Sequence, residues 1–474
     1  MQIQKKIRPI IDSLFTIASL AAINSITNPV YAAPVTAKSS NSFVDSIGVN
    51  VHLTYESYGD KQLIKSKLQE LGVRHIRDGA YQEPEFFAQI KDLAKDGIKT
   101  LLIFSGNPPQ EVVSTAKKLQ GAIEGVEGAN ESDLEVFNFS YKGQKFPEGT
   151  RTYQEDIYKA LKADPATKNL TIVLPSMGWG ENAQKLGYVG NLGNFCNLHS
   201  YPNIGQPPTI DMDTYFIRHA NKMCGGLPKL ATETGYHNAV SHEIGISEIA
   251  AGKYIPRLLL ENYNRQIKRS YLYELINQGN DPNDQSNYGL LKSDGSPKPA
   301  FITIKNIISL VKDSDSANFK PGSLDYTLSG DTKNIHSTLL QKSDGTFFLI
   351  LWQNAVSWDN NNKKDVGVAS KNIKVSLSSP ANKLEIYDPS KSASATKAVS
   401  ATKDITVPVP DHPIILKVAG SKTQPSAPSI EEKPLSSQKP KENPKEPPLV
   451  EETEPSEEQP EVEETEPSEE PPSQ

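Results

Sequence analysis

Tryptophan and cysteine are scarce in this chain: three Trp and two Cys among 474 residues. Two cysteines, Cys196 and Cys224, allow at most one disulfide. In an exported protein it would close a loop of about 28 residues and stabilise the fold by roughly 3 kcal/mol; two buried free thiols are the other reading, and the sequence leaves both open. No glycine-rich G-x-G-x-x-G follows the first candidate strand, which argues against a dinucleotide-binding open sheet. There is neither a basic stripe nor a nucleic-acid motif, and the formal net charge is -7, so no nucleic-acid partner is expected. Nor does any run beyond the N-terminus have the length and apolarity to span a bilayer, so no transmembrane helix is expected. Asp281-Pro282-Asn283-Asp284-Gln285 loosely resembles a calcium loop, but Ser286 and Lys292 stand where glycine and glutamate are required. No metal and no other cofactor is expected.

What is present divides the chain into four parts. Residues 1–32 read as an export leader: Lys5, Lys6 and Arg8, then an apolar stretch from Leu14 to Ile23, then small residues around Ala32. This implies a secreted or periplasmic protein. Residues 33–315 alternate short apolar runs with amphipathic helical patterns. Eight candidate strands emerge: Ser46–Leu53, Val73–Arg77, Thr100–Phe104, Ala122–Val126, Leu170–Leu174, Phe195–Leu198, Lys229–Thr232 and Arg269–Ile276. Helical stretches such as Lys61–Leu71 and Pro84–Lys95 lie between them, the second with Pro at its start and Gly97 beyond its end. Eight such units predict an α/β fold, a (β/α)8 barrel. From 322 to 420 the pattern is purely strand-like, with Phe347–Trp352 apolar throughout and an Asp344-Gly345 turn signal before it. A small β-sandwich is expected there. Residues 421–474 are rich in Pro, Glu, Ser and Lys and repeat the octamer EETEPSEE at Glu451 and Glu463. Such a segment buries too little apolar surface to offset its conformational entropy, and an extended tail is expected. It reads either as a cell-surface or cell-wall spacer or as a solubilising end.

Two glutamates sit where a barrel places its chemistry, at the C-terminal ends of strands. Glu131 closes Gly128-Ala129-Asn130-Glu131, just past candidate strand 4, and Glu233 lies in Ala231-Thr232-Glu233-Thr234 at the end of candidate strand 7. Their separation corresponds to about 34 residues per unit over three units, as expected for strands 4 and 7 of an eightfold barrel. An Asn-Glu pair after strand 4 with a lone Glu after strand 7 resembles the signature of glycoside hydrolase clan A, nearest to its families 39 and 5. The resemblance implies a retaining glycosidase acting on a poly- or oligosaccharide. Glu131 would be the general acid/base, Glu233 the nucleophile, and Asn130 a partner of the sugar 2-hydroxyl. It also implies that Arg77, at the end of strand 2, holds the nucleophile ionised. His199 and Tyr201, after strand 6, would lie beside the acid/base and the nucleophile. His52, ending strand 1, would line the innermost subsite.

Tyr55, Tyr58, Tyr81 and Trp179 are the aromatic candidates on the same face for stacking against sugar rings. Trp352 and Trp358 fall in the β region, so the aromatic supply is thin for a long cleft. No Trp occupies Tyr271-Leu272-Tyr273-Glu274, where family 5 enzymes usually carry one, and Glu274 there is a third carboxylate of open role. A transglycosylase would use the same two glutamates, and a glycan-binding surface protein on a decayed barrel would not need them. Limited proteolysis should trim the chain to about residue 420 with the melting temperature unchanged, as read by mass and calorimetry; a lower melting temperature would place the boundary wrongly.

Overall fold

The computed structural model describes residues 34–202, 205–279, 281–314 and 319–419. The leader, residues 1–32, and the tail from 421 lie outside the described residues.

Eight parallel strands form a barrel: β1 (Ile47–Asn50), β2 (His75–Gly79), β3 (Lys99–Ile103), β4 (Ile123–Glu127), β5 (Thr171–Val173), β6 (Cys196–Ser200), β7 (Lys229–Thr234) and β8 (Arg269–Leu272). Pairing runs β5-β4-β3-β2-β1-β8-β7-β6, and a parallel bridge from Val173 to Phe195 joins the two ends. The local causes are those of the sequence. Asp60 accepts the backbone N–H groups of Gln62 and Leu63 to start the helix Lys61–Leu71, and left-handed Gly72 ends it. Ile64, Leu68 and Leu71 form that helix's buried stripe. Cys196, opening β6, is joined in a disulfide to Cys224 at the end of the helix Arg218–Cys224, with Cα atoms 5.6 Å apart. This decides between the two readings of the cysteines.

The barrel interior is stratified. Leu101, Val173, Leu230 and Tyr271 make an apolar cluster of their own, three of them from alternate strands. The Tyr271 ring occupies the space Gly48 leaves empty, since a Cβ at Gly48 would lie 2.5 Å from it. At the N-terminal pole, His75 bridges Glu124 (2.8 Å) and Asp45 (2.9 Å). Arg269 bonds both carboxylates as well, at 2.8 and 3.0 Å. The charges of this cluster are paired on every side, as groups removed from water require. At the opposite pole lies a second polar layer, described below.

The C-terminal region is one continuous, mostly antiparallel sheet rather than two separate ones. Its strands are β9 (Tyr326–Ser329), β10 (Ile335–Gln341), β11 (Phe347–Gln353), β12 (Lys371–Tyr387), β13 (Ala395–Val409) and β14 (Ile414–Val418). The first half of β12 pairs with β9 and its second half with β14, across an irregularity between Ser376 and Ala381. Both halves feed one apolar cluster, so the sheet doubles over and forms a sandwich with itself. Leu349, Leu351 and Leu416 face that cluster, whereas Phe348, Ile350, Trp352 and Ile415 join the barrel's outer core. Burial on both faces is why β11 reads as an unbroken apolar run. Lys38–Ser39, just ahead of the barrel, adds to the edge of this sheet beside Leu340 and Gln341.

The basal cluster predicts an acid lability. Burial alone would raise the Asp45 and Glu124 carboxyls, but hydrogen bonds and charge from His75, with Arg269 behind them, hold both below the usual range. Carboxyls depressed in the folded state stabilise it fully above their unfolded value of about 4, and that contribution is lost as pH falls. Glu124→Gln should therefore cost about 3 kcal/mol near neutrality. The melting curves of variant and parent should converge as pH drops below about 4. A penalty that does not change between pH 7 and pH 3 would refute this account.

Candidate active site

The site is assembled on Arg77. This side chain is buried in the barrel mouth, where an unpaired guanidinium would be very costly. It is fully partnered. Nε and Nη2 donate to the two oxygens of Glu127, both at 2.7 Å, in a bidentate pair. Nη1 donates to Glu233 Oε1 at 2.6 Å and to Asn50 Oδ1 at 2.9 Å, and Nη2 also reaches Asn130 Oδ1 at 2.7 Å. Its sequence neighbour Asp78 turns elsewhere and accepts the backbone N–H groups of Leu53 and Gly79.

Glu127 was not among the residues singled out from the sequence. It is fully buried and also accepts Asn197 Nδ2 (2.9 Å), with the Thr232 oxygen 3.1 Å away. No local signal sets it apart: Glu127 ends β4, four residues before Glu131, and Glu124 in the same strand is charged as well.

Between β6 and β7 the register slips, so that Leu198 faces Ala231 but His199 faces Glu233. A bulge of this kind re-aims consecutive side chains. Here Thr232 and Glu233, which a regular strand would send to opposite faces, both point into the barrel. The Thr232 hydroxyl gives its proton to Asn197 Oδ1 at 2.6 Å, so it accepts from His199 Nε2 at 3.1 Å. The other ring nitrogen, Nδ1, is 2.6 Å from Glu131 Oε1 and 3.5 Å from Glu233 Oε2. Tyr201 donates to Glu233 Oε2 at 2.6 Å.

Glu131 lies four residues beyond β4, at φ +41°, a region that L residues seldom occupy. The turn is pinned by Glu131 N–H to Ser176 Oγ (3.0 Å) and Leu134 N–H to Glu131 O (2.9 Å). An oxygen of Glu131, an oxygen of Glu233 and a ring nitrogen of His199 lie within 4.8 Å of one another. Three such donors could also seat a divalent cation, but Arg77 on Glu233 already supplies the positive charge that would oppose one.

The electrostatics follow from the contacts. Burial would raise the Glu233 carboxyl, but the charges of His199 and Arg77 and the hydrogen bonds from Tyr201 and Arg77 bring it down to about 2. Burial would discharge His199, but the Glu233 and Glu131 carboxylates outweigh it and keep the imidazole cationic to higher pH. Glu274 is the reverse case. Burial and the nearby Glu233 charge push it up to about 8, against the hydrogen bonds from Gln278 and Tyr58. Burial takes His52 down to about 4. The 3.4 Å approach of His52 Nε2 to Glu274 is therefore a contact between neutral groups at pH 7 and not an ion pair.

Six of the residues singled out from the sequence thus share one network: Arg77, Asn130, Glu131, His199, Tyr201 and Glu233. His52 stands beside it, stacked on Tyr55 with ring centroids 4.6 Å apart. Tyr58 is buried and donates to Glu274 at 2.9 Å, so it is not a stacking surface. Trp179 lies on the rim, 59% exposed, away from the network. Asp133 accepts the N–H groups of Gly178 and Trp179, which ties the Trp179 loop to the turn carrying Glu131.

No family model and no curated protein matches the chain. Among solved structures it is similar to a family 39 glycoside hydrolase from the gut symbiont Bacteroides cellulosilyticus, at 17% identity over 81% of this chain and 83% of that one, TM-score 0.56. A β-1,3-glucanosyltransferase of Rhizomucor miehei aligns at 15% identity over 53% of this chain and 96% of its own, TM-score 0.39. A β-glucuronidase of Parabacteroides merdae aligns at 10% over 79% and 60%, TM-score 0.41. The first likeness is one of fold, a barrel with a trailing β region; the other two are too distant to support an argument.

The network predicts that Arg77 is irreplaceable. Arg77→Met leaves Glu127 and Glu233 buried without their cation and should cost about 3–5 kcal/mol at pH 7. The loss should shrink as pH falls and a carboxylate without its cation takes up a proton. Urea denaturation at pH 7 and pH 5 measures both; a loss below about 1 kcal/mol would mean that water reaches these carboxylates.

Proposed function

We propose that the protein is a retaining glycoside hydrolase of the clan A type, with Glu233 as nucleophile and Glu131 as general acid/base. The observation that carries this reading is the close approach of two carboxyl groups, within 4.8 Å, at the mouth of the barrel. Retaining glycosidases hold their pair at about 5–5.5 Å, whereas inverting enzymes leave room for a water at about 6.5–9.5 Å. The two environments also differ: Arg77, His199 and Tyr201 hold Glu233 ionised, whereas Glu131 bonds neither Arg77 nor Tyr201 and lies 2.6 Å from the His199 ring.

In the first step a Glu233 oxygen attacks the anomeric carbon while Glu131 gives its proton to the departing glycosidic oxygen. In the second, Glu131 takes a proton from water, the water oxygen bonds the anomeric carbon, and the bond to Glu233 breaks. A sugar hydroxyl in place of water would make the same site a transglycosylase. Asn130, oriented by Arg77, is placed to bond the sugar 2-hydroxyl. His52 and Trp179 would contact substrate, with Trp179 on the side of the leaving group that Glu131 protonates. The paired carboxyls favour catalysis over a glycan-binding scaffold. Export to a secreted or periplasmic location, and attachment to a cell surface through the tail, are part of this proposal; the Cys196–Cys224 disulfide supports the first.

Azide rescue separates the two roles. Glu233→Ala and Glu131→Ala should each lose at least about 10²-fold on a panel of activated aryl glycosides. Azide should then restore Glu233→Ala with inverted glycosyl azide and Glu131→Ala with retained product. The opposite stereochemistry in the two variants would exchange the roles, and losses below tenfold in both would overturn the reading.

A further inference from the structure

We propose that the ribbon Asn354–Val366 of the β region is a positioning element of the catalytic face, with Trp358 as its key residue. The ribbon's two short strands, Trp358–Asp359 and Lys364–Asp365, pair with each other and with no other described strand. They project from the end of β11 onto the barrel loops after β6 and β7, which carry Tyr201 and follow Glu233.

The contacts are dense and specific. Trp358 is buried, and its indole and Ile246 both close on Gly205, which with Ile246 puts one contact residue in each loop; Gly205 is left-handed, and a Cβ there would meet the indole at 2.4 Å and Ile246 at 3.0 Å. Asn354 exchanges hydrogen bonds with Thr209 in the β6 loop, at 2.9 Å in one direction. Lys363 donates to the carbonyls of His242 and Glu243, both at 2.9 Å, and Asn360 donates to Glu243 O at 2.9 Å. Ser247 donates to Asp365 at 2.5 Å. A second line runs beneath. Ser357 N–H donates to Tyr254 OH (2.7 Å), the Tyr254 ring lies against Tyr236 (5.3 Å), and Tyr236 OH donates to Gln206 O (2.8 Å).

Loops alone would leave backbone at this end of the barrel soft, since connecting segments are the mobile part of a fold. Tyr201 must nonetheless stay 2.6 Å from Glu233, and Tyr201 itself packs on Tyr288, which touches His237 of the β7 loop. The ribbon fixes both loops from outside, through residues that never meet the substrate. The β region is on this account part of the catalytic apparatus.

The test uses the full chain and rests on the glycosidase reading for only one of its two arms. Trp358→Ala, Trp358→Phe, Lys363→Met and Tyr201→Phe are compared with the parent. By hydrogen exchange, Trp358→Ala should lose protection in residues 205–211 and 236–247 while β11 keeps its own. On activated aryl glycosides its kcat/KM should fall roughly tenfold, the scale of one weak hydrogen bond to a charged acceptor. The acidic limb of its pH profile should move up, as in Tyr201→Phe, because losing a donor raises the Glu233 carboxyl. Lys363→Met should show a smaller effect of the same sign, and Trp358→Phe should restore most of the parent's behaviour. Unchanged exchange in the two loops overturns the proposal; so does increased exchange with an unmoved acidic limb. A parent that turns over no aryl glycoside overturns the glycosidase reading instead, and the exchange arm alone then decides the role of the ribbon.

Discussion

A single guanidinium, that of Arg77, sets the terms for the top of this barrel. It sits between two buried carboxylates, Glu127 and Glu233, and bonds two asparagines besides. The arrangement is asymmetric. Glu127 takes the bidentate bond and the Asn197 amide besides, which leaves it no free oxygen to present. Glu233 shares one Nη1 and one tyrosine hydroxyl, so it is ionised yet less encased. The buried Arg77–Glu127 pair need not add net stability, because desolvation consumes most of its Coulombic gain. What it supplies is a fixed cation that also bonds Glu233.

The rest of the barrel serves that geometry from below. The apolar layer with Tyr271 at its centre keeps water from reaching Arg77 through the barrel, and the low local dielectric strengthens its interactions. The bulge between β6 and β7 turns both Thr232 and Glu233 inward, and Thr232 in turn orients His199. The disulfide at the start of β6 anchors the strand that delivers His199 and, beyond it, Tyr201. Each of these features acts on the relative position of two carboxyl groups.

Much of this was legible in the sequence, for physical reasons. The eight strands announce themselves because parallel strands buried on both faces are continuous apolar runs between amphipathic helices. Glu131 and Glu233 stand out because a barrel confines its chemistry to strand ends. Glu127 escaped because its role depends on what faces it across the barrel, which no local pattern records. The bulge at Thr232 escaped for the same reason, since register slips are properties of pairs of strands. The ribbon around Trp358 also could not be read: Trp358 gave no sign of leaving its own sheet to fill the space beside Gly205 in a loop some 150 residues earlier. The doubled-over sheet was visible only as a strand pattern, because one long strand bent at an irregularity and two separate strands look alike in sequence.

The account stands or falls on Glu233 forming a covalent bond to sugar. Incubation with a panel of 2-deoxy-2-fluoro glycosyl fluorides, followed by proteolysis and peptide mass measurement, tests this directly. Fluorine at C2 slows both steps, and the activated leaving group lets the first outrun the second, so the intermediate accumulates. The account predicts a one-to-one adduct on the peptide containing Glu233, with activity lost in proportion, and the reactive member of the panel identifies the sugar class. An adduct on Glu131, on Glu127 or on Glu274 would contradict it.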